Sequence, residues 1–264
     1  MNAGIFALSA AGACAGVAAW AAVSPTSELF GPTLHNTPDS SQIALSFDDG
    51  PNPACTPELL KLLERYGAPA TFFVVGRWAR ACPNLIREIA DRGHNLGNHT
   101  ETHANLTWRP SWRIAEELEA CQDSILRALG FERDAAPILM RPPFGYRGPQ
   151  LWSAIRRAGL RSVAMWSLTC YDGKPQPAER LIERLGRVVI RNPQAPAAGK
   201  ERSAGGGTEK RKSAGGEIIM LHDGDARELL ADRRHVLAAL EYWLPRWRDA
   251  GFEFVTMNPL AGSG

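Results

Sequence analysis

Short apolar runs alternate along this chain with longer amphipathic segments, and each kind has its own period. The runs at 43–47 and 70–75 have the length and the aromatic and β-branched content of buried strands. The same reasoning predicts strands at 94–98, 138–140, 161–167, 217–222 and 252–256. Helices are predicted between them, with those at 57–66, 84–92 and 112–129 each ending directly before a glycine. Alternating strands and helices are typical of an α/β fold with a parallel sheet.

The first predicted strand ends in two adjacent carboxylates, Asp48 and Asp49, followed by Gly50 and Pro51. Neighbouring like charges raise the energy of both ionised forms unless a cation lies close, so the pair indicates a cation site. The active sites of α/β barrels form at the carboxyl ends of the strands, where this pair lies. Taken alone, these residues also fit a turn whose acids accept backbone N–H groups.

Two histidines, His99 and His103, follow the predicted strand at 94–98. Imidazoles four residues apart project to one side of a helical turn and can bind one metal, with Asp49 or Asp48 as the oxygen ligand. Two histidines and one carboxylate leave coordination positions open for water and substrate, which is typical of catalytic metal sites. Histidines at this spacing also occur by coincidence on surfaces and in cores.

Two further strand ends carry polar chemistry. Arg141 follows the strand at 138–140 and precedes two prolines, which fix the backbone so that the guanidinium can hold a carboxylate bidentately. The strand at 217–222 ends in His222, a third imidazole. In an α/β barrel, residues that follow different strands meet at one mouth.

The motifs at 46–51, 99–103, 141–145 and 221–224, in this order, resemble those of the polysaccharide deacetylase family, also called the NodB homology domain or carbohydrate esterase family 4. The resemblance covers roughly residues 40–258. It implies a single-domain α/β fold, an irregular, TIM-like (β/α)7 barrel. It also implies a metal-dependent hydrolase that removes N-acetyl groups from the amino sugars of peptidoglycan, a chitin-like polymer or an exopolysaccharide.

The resemblance assigns a role to each matching position. Asp49, His99 and His103 would bind a divalent metal, expected to be Zn²⁺ with Co²⁺ or Ni²⁺ as alternatives. Asp48 would be the catalytic base, oriented and kept ionised by Arg141, and His222 the general acid, oriented by Asp172. The backbone N–H of Phe144 would stabilise the oxyanion, and Leu221 and Trp166 would line a pocket for the acetyl methyl group.

The fourth motif departs from the family pattern. Where the family commonly has Asp-x-x-Asp-Trp, this chain has Thr169, Cys170, Tyr171, Asp172 and Gly173. The orienting carboxylate of Asp172 is kept, whereas the first aspartate and the tryptophan are replaced. The shape of the substrate site is therefore expected to differ from the family pattern.

Composition indicates one ordinary domain. A chain of 264 residues that is 44% hydrophobic can bury one substantial core. The net charge of +2 is too small to indicate nucleic-acid binding. The expected partner is an N-acetylated polysaccharide or oligosaccharide.

Several segments fall outside the predicted domain core at 41–258. Residues 3–23 carry no charge and are long enough to cross a bilayer, so 1–23 is expected to be a signal peptide or a membrane anchor. Either one indicates export to the cell envelope, the periplasm or the exterior. Residues 193–216 are small, polar and poor in apolar side chains, which predicts a disordered insertion. A linker is predicted at 24–40 and a tail at 259–264.

Two alternatives stand beside the polysaccharide deacetylase. The same metal chemistry would serve a lipid-linked amino sugar or another small amide, which suits a membrane-adjacent N-terminus. The altered fourth motif also fits a catalytically inactive carbohydrate-binding protein on the same fold.

Overall fold

The structure, a computed structural model, describes residues 2–130, 139–188 and 215–258. Its helices are α1 (Asn2–Val23), α2 (Thr56–Arg65), α3 (Gly76–Ala81), α4 (Pro83–Asp91), α5 (Ser111–Leu129), α6 (Leu151–Arg157), α7 (Ala178–Leu185) and α8 (Arg234–Asp249). Its strands are β1 (Thr33–Leu34), β2 (Asn36–Thr37), β3 (Gln42–Asp48), β4 (Ala70–Val74), β5 (Asn95–Asn98), β6 (Leu139–Met140), β7 (Ser162–Ala164), β8 (Leu168–Thr169), β9 (Gly216–His222) and β10 (Glu253–Phe254). One 3-10 turn covers Pro143–Gly145.

The strands form a mainly parallel sheet that nearly closes on itself. Strands β3, β4, β5, β6 and β7 lie side by side in this order, and β9 pairs with the other edge of β3. Strand β8 follows β7 along the chain and pairs in parallel with β9. The β7–β8 segment therefore joins both ends of the series, as a barrel requires. This arrangement confirms the predicted α/β barrel.

Two predicted strands have different forms in the structure. The strand predicted at 161–167 is split into β7 and β8, because Met165 bonds to Leu34 (2.7 Å) whereas Ser167 bonds to Ile218 of β9 (3.0 Å). The last predicted strand, at 252–256, is the short β10, which pairs with the first two residues of β3. Local periodicity does not show where a strand changes its neighbour.

Side chains along the central strands alternate between the inside of the barrel and the helix layer. Ala44 of β3, Phe73 of β4 and Ile218 of β9 pack in one cluster. Residues at the alternate positions of these strands pack on the opposite face in the larger core, among them Leu45, Phe47, Phe72, Ile219 and Leu221. Because a strand has a period of two, Asp48 shares a face with Ala44, and His222 shares one with Ile218. This alternation decides which strand-end side chains can reach the interior.

Helix α5 illustrates how the helices cover the sheet. Its buried side chains include Ile114, Leu118, Cys121 and Ile125, the stripe expected from a 3.6-residue period. The helix is capped by Gly130, whose φ of 73° lies in the left-handed region that glycine adopts without strain. The helices predicted at 57–66, 84–92 and 112–129 are confirmed, as α2, α4 and α5, to within one residue at each end.

The segment predicted as a linker, 24–40, contributes two strands to the sheet. Strand β1 pairs in parallel with β7, and β2 pairs antiparallel with β9. The residues before β1 are fastened by the buried guanidinium of Arg147. It donates to the carbonyl oxygens of Ser27 (2.8 Å), Ala21 (3.1 Å) and Ser24. The segment differs from a linker because its backbone groups are paired with the barrel.

Within the described ranges no helix, α1 included, combines the length and the hydropathy that crossing a membrane requires. A signal peptide at 1–23 stays a prediction. The insertion predicted at 193–216 lies outside the described residues except for its last two glycines, and the tail at 259–264 lies wholly outside them.

Candidate active site

A cavity of about 650 Å³ opens where the carboxyl ends of the barrel strands meet. The polar side chains of the cavity lie at strand ends. Asp48 ends β3 and Asp49 follows it, His99 follows β5, and His222 ends β9. Asp48 and His222 are register partners on adjacent strands. The cavity brings together the predicted residues Asp48, Asp49, His99, His103, Phe144, Trp166 and His222.

Asp49, His99 and His103 form a cluster whose ligand atoms all lie within 4.8 Å of one another. Nε2 of His103 lies 3.1 Å from Oδ1 of Asp49, and Nε2 of His99 lies 3.4 Å from the same oxygen. Nδ1 of His99 lies 2.8 Å from the carbonyl oxygen of Arg141. Because a carbonyl oxygen only accepts, Nδ1 of His99 carries the proton and its Nε2 presents a lone pair to the cluster.

The cluster fits a divalent cation. Burial and the neighbouring His99 lower the pKa of His103 to about 4, despite the attraction of Asp49, so this ring is neutral at neutral pH. Oδ1 of Asp49 is buried and has no hydrogen-bond partner in the described part of the chain. Lone pairs that converge without a proton between them need a positive ion. Two imidazoles and one carboxylate are ligands that leave coordination positions open.

His99 and His103 lie on a loop after β5, so the prediction of a helical turn is wrong. Thr100 and His103 have φ values of 66° and 59°, whereas a right-handed helix needs negative φ at every residue. The carboxylate of Glu117 on α5 holds this loop by accepting hydrogen bonds of 2.9 Å from both the N–H and the hydroxyl group of Thr102. Backbone direction, rather than helical spacing, brings the two imidazoles together.

Asp48 is held by Arg141. Its Oδ1 accepts a 2.7 Å hydrogen bond from Nη1 of Arg141, whose side chain is fully buried. The same nitrogen lies 2.9 Å from the Ser46 hydroxyl, and Nη2 donates to the carbonyl oxygen of Met165 (2.9 Å). The predicted bidentate grip is therefore a single contact, because other N–H groups of the guanidinium bond to neutral oxygens. Asp48 is the charge that compensates this buried cation.

His222 is paired with buried Asp172. Nδ1 of His222 lies 3.1 Å from Oδ1 of Asp172, and the backbone N–H of His222 donates to Oδ2 (2.7 Å). Burial alone would lower the pKa of His222, but the charge and hydrogen bond of Asp172, together with Asp49 and Asp48, raise it to about 9. The ring is thus protonated at neutral pH. With Nδ1 engaged by Asp172, the proton on Nε2 is the one available for transfer.

Phe144 and Trp166 supply the apolar wall of the cavity. The Phe144 ring packs against His103 with 4.6 Å between ring centroids. At Gly145, where φ is 71°, an added Cβ would lie only 2.4 Å from Cη2 of Trp166. Glycine is required at this position because it permits both the left-handed backbone and the close approach of the indole.

Leu221 lies on the opposite face of β9 from the cavity, which corrects its prediction as a wall of the acetyl pocket. It is fully buried in the core beside the helices, whereas Met220 lines the cavity. The period of two could have shown this, because Met220 and His222 share a face and Leu221 does not.

Some lining residues were not predicted from the sequence. Val23 and Pro25 belong to the segments predicted as leader and linker, and Tyr171 to the altered fourth motif. Val23 and Pro25 carry no local signal, because β1 and Arg147 bring them to the cavity.

Backbone strain is concentrated at this cavity. Within the described ranges, the non-glycine residues with positive φ are Asp49, Thr100, His103, Phe144 and Tyr171, all in the site or between its histidines. Such backbone conformations cost on the order of 1 kcal/mol or more each and persist mainly at functional sites. The strain independently marks this end of the barrel as the functional one.

Comparison with known proteins agrees with the geometry. A family model described as Polysaccharide deacetylase matches residues 35–163. The peptidoglycan-N-acetylglucosamine deacetylase of Bacillus cereus is 31% identical over 221 residues, which cover 83% of this chain and 87% of that protein. The chain belongs to the polysaccharide deacetylase family.

Other relatives of this deacetylase agree. The chitooligosaccharide deacetylase of Azorhizobium caulinodans is 31% identical over 232 residues, covering 85% of this chain and 96% of that protein. The solved structure of the family 4 carbohydrate esterase from Streptomyces lividans, in complex with acetate, matches this fold with a TM-score of 0.64 at 25% identity. The match covers 84% of this chain and 95% of the esterase chain. The predicted family and barrel are confirmed, and the deacetylase is a hydrolase of carbon–nitrogen bonds.

Proposed function

We propose that the protein removes N-acetyl groups from the amino sugars of an envelope polysaccharide, with a divalent metal as cofactor. The observation that carries this proposal is that two adjacent carboxylates have different neighbours. Asp49 lies with His99 and His103, whereas Asp48 lies with Arg141. A metal ligand and a separate base are what amide hydrolysis needs, and relatives named for peptidoglycan and chitooligosaccharides support the substrate class.

Asp49, His99 and His103 would hold the metal, for which Zn²⁺ is the first candidate and Co²⁺ or Ni²⁺ the alternatives. A divalent cation bound there supplies Lewis acidity, which polarises an acyl oxygen and makes water more acidic.

Asp48 acts as the general base. Arg141 engages Oδ1, so Oδ2 takes the proton from the attacking water. Arg141 is a positioning residue, because it is fully buried and acts through Asp48.

His222 acts as the general acid. An amine is a poor leaving group unless it is protonated, and the charged imidazole donates the Nε2 proton to the leaving nitrogen as the carbon–nitrogen bond breaks. Asp172 keeps the ring charged and fixes its orientation through Nδ1.

The remaining wall orients the acetyl group. The backbone N–H of Phe144 would stabilise the developing oxyanion, and Trp166 would contact the acetyl methyl group, with Met220 in the place predicted for Leu221. We also propose that the protein acts outside the cytoplasm, since its relatives include enzymes named for peptidoglycan.

The test is acetate release by the full chain on N-acetylglucosamine oligomers and on peptidoglycan. The protein is stripped with a chelator and refilled with Zn²⁺, Co²⁺ or Ni²⁺ in separate samples. Release that returns with metal supports the proposal, and the order of the three metals identifies the preferred one. Stoichiometric metal binding without release from either substrate would contradict it and favour a carbohydrate-binding role.

A further inference from the structure

The carboxylate that pairs with His222 belongs to a segment without regular structure. Asp172 lies between the two-residue strand β8 and helix α7, and it follows Tyr171, whose φ of 52° is left-handed. The next residue, Gly173, has no side chain that could pack and hold the segment. The position of the Asp172 carboxylate therefore depends on the groups that hold its backbone.

Two side chains at the start of α8 hold the carbonyl oxygen of Asp172. Nη1 of Arg233 donates a 3.4 Å hydrogen bond to this oxygen, and Nε2 of His235 lies 3.1 Å from it. Because a carbonyl oxygen only accepts, Nε2 of His235 carries the proton. Both side chains are buried, with 2% of Arg233 and 8% of His235 exposed. Asp172 is thus fixed from an element 61 residues further along the chain.

Arg233 also holds the backbone that follows His222. Its Nε donates to the carbonyl oxygen of Gly224 (2.8 Å), and its Nη2 lies 3.2 Å from Oδ2 of Asp225. All three nitrogens of one planar guanidinium are therefore engaged, and the plane fixes the directions of their hydrogen bonds. The guanidinium ties the segment after His222 to the segment of Asp172, and the 3.1 Å contact between these two side chains depends on that spacing.

The grip on Gly224 extends to the turn that carries the two carboxylates. The N–H of Gly224 donates to the carbonyl oxygen of Asp48 (3.4 Å). A Cβ added to Gly224 would lie 2.3 Å from the carbonyl oxygen of Asp49, so the two backbones are in direct contact. Arg233 itself does not line the catalytic cavity. Any effect of Arg233 on the reaction must therefore pass through the residues that it holds.

The acceptors of Arg233 distinguish it from the other buried arginine that donates to carbonyl oxygens. Arg147 bonds to the segment before the barrel, at 21–27. Each acceptor of Arg233 is either Asp172 or lies within three residues of His222. A guanidinium that served only the stability of the fold would not need acceptors restricted to these two segments.

We propose that Arg233 and His235 are positioning residues for the general acid. They hold the backbone of Asp172 so that its carboxylate keeps His222 aimed at the leaving nitrogen. The inference rests on the proposed deacetylase function, in which His222 protonates the amine. A displacement of about 1 Å at a reacting group can cost roughly 10²-fold in rate, so a small shift of this backbone is enough to reduce turnover.

The test measures acetate release from N-acetylglucosamine oligomers by the full chain loaded with Zn²⁺. His235→Ala should lower kcat about tenfold, and Arg233→Met up to about 10²-fold, with KM and zinc stoichiometry near the wild-type values. His235→Gln, whose amide N–H can donate to the same oxygen, should recover most of the loss. The matched control is Arg234→Met, because Arg234 is the neighbouring arginine, is 86% exposed in its side chain and pairs with Asp232. It should match the wild type.

A double-mutant cycle with His222→Ala separates positioning from a general loss of structure. If Arg233 acts through His222, Arg233→Met should cost less than about twofold more in kcat once the imidazole is absent. The same cycle with His235→Ala decides the question if melting shows that Arg233→Met does not fold.

Three outcomes would overturn the positioning role while leaving the deacetylase intact. These are losses that stay additive with His222→Ala, a His235→Ala variant with wild-type kcat, and a His235→Gln variant no better than His235→Ala. A wild type that releases no acetate from any oligomer or from peptidoglycan would instead overturn the proposed function, and this inference with it.

Discussion

At the scale of single residues, two adjacent carboxylates in this protein face different partners. Asp48 is the last residue of β3 and points along the inner face toward Arg141. Asp49 has a φ of 70°, and this left-handed turn directs its carboxylate to the histidines instead. The local backbone therefore separates the proposed base from a proposed metal ligand in consecutive positions.

Asp48→Asn tests the role of the base. The amide cannot take a proton, so turnover should fall by about 10²- to 10⁴-fold while metal stoichiometry stays at the wild-type value. The melting temperature should also fall, because the buried guanidinium of Arg141 loses its compensating charge. Metal analysis and acetate release on the same samples check this, with His99→Ala as the variant expected to lose both. Equal metal loss in Asp48→Asn would remove Asp48 from the role of base.

His222→Ala tests the role of the acid. The variant should fold and bind metal, yet lose about 10²-fold or more in kcat, because the leaving amine is no longer protonated. Steady-state acetate release, melting temperature and metal content are measured together. Activity close to that of the wild type would show that His222 is not in the mechanism.

At the scale of elements, His94, the residue directly before β5, ties this strand to the start of β4. Its Nδ1 accepts a 3.1 Å hydrogen bond from the backbone N–H of Ala70, so this nitrogen must be unprotonated. Burial, together with the charge of Arg92, lowers the pKa of His94 from 6.5 to about 4. Protonation would break this strand-to-strand contact.

The sign of the His94 effect on stability follows from this shift. The pKa is lower in the folded state, so the unfolded chain binds more protons between about pH 4 and pH 6.5. The stabilisation that comes from keeping His94 neutral is complete above pH 6.5 and is lost as the pH falls toward 4. The loss amounts to on the order of 2–3 kcal/mol in the free energy of unfolding. His94→Gln keeps an acceptor but does not titrate. Urea unfolding of both proteins at pH 7 and pH 5 should show the wild type losing more stability than the variant, and parallel losses would contradict this role.

At the scale of the whole molecule, residues before the barrel complete its catalytic end. Val23 and Pro25 line the catalytic cavity, and the guanidinium of Arg147 joins this segment to the barrel. A charged group with several carbonyl partners holds the wall in place. The catalytic cavity is therefore lined by Val23 and Pro25, from before the barrel, as well as by strand-end residues as far along the chain as His222.

A pair of deletions tests this integration. Removing 1–19 keeps every carbonyl acceptor of Arg147 and should leave the melting temperature near that of the full chain. Removing 1–27 leaves the buried guanidinium without these partners. Each lost hydrogen bond to a charged group should lower the free energy of unfolding by about 1.5–3 kcal/mol. That deletion should lower the melting temperature by at least roughly 5 °C in a thermal scan. Equal melting of the two deletions would show that the segment does not stabilise the barrel.

The sequence by itself determined the family, the order of strands and helices and most of the polar residues at the strand ends. Apolar periodicity is a local property, so β3, β4 and α5 were predicted almost to the residue. Asp48, Asp49, His99 and His103 were predicted because the residues within each motif lie close together in the chain. Asp172 was found only through the resemblance, since its carboxylate acts fifty residues away on His222.

Only the tertiary structure decided which side chains share the catalytic cavity. The loop after β5 brings its two histidines together through left-handed dihedrals at Thr100 and His103, which a spacing of four residues does not specify. Pro25 and Tyr171 line the same cavity although they are far apart in the sequence. Contacts of this kind form only when the sheet closes and every strand has found its neighbour. The period of a single segment carries no information about that closure.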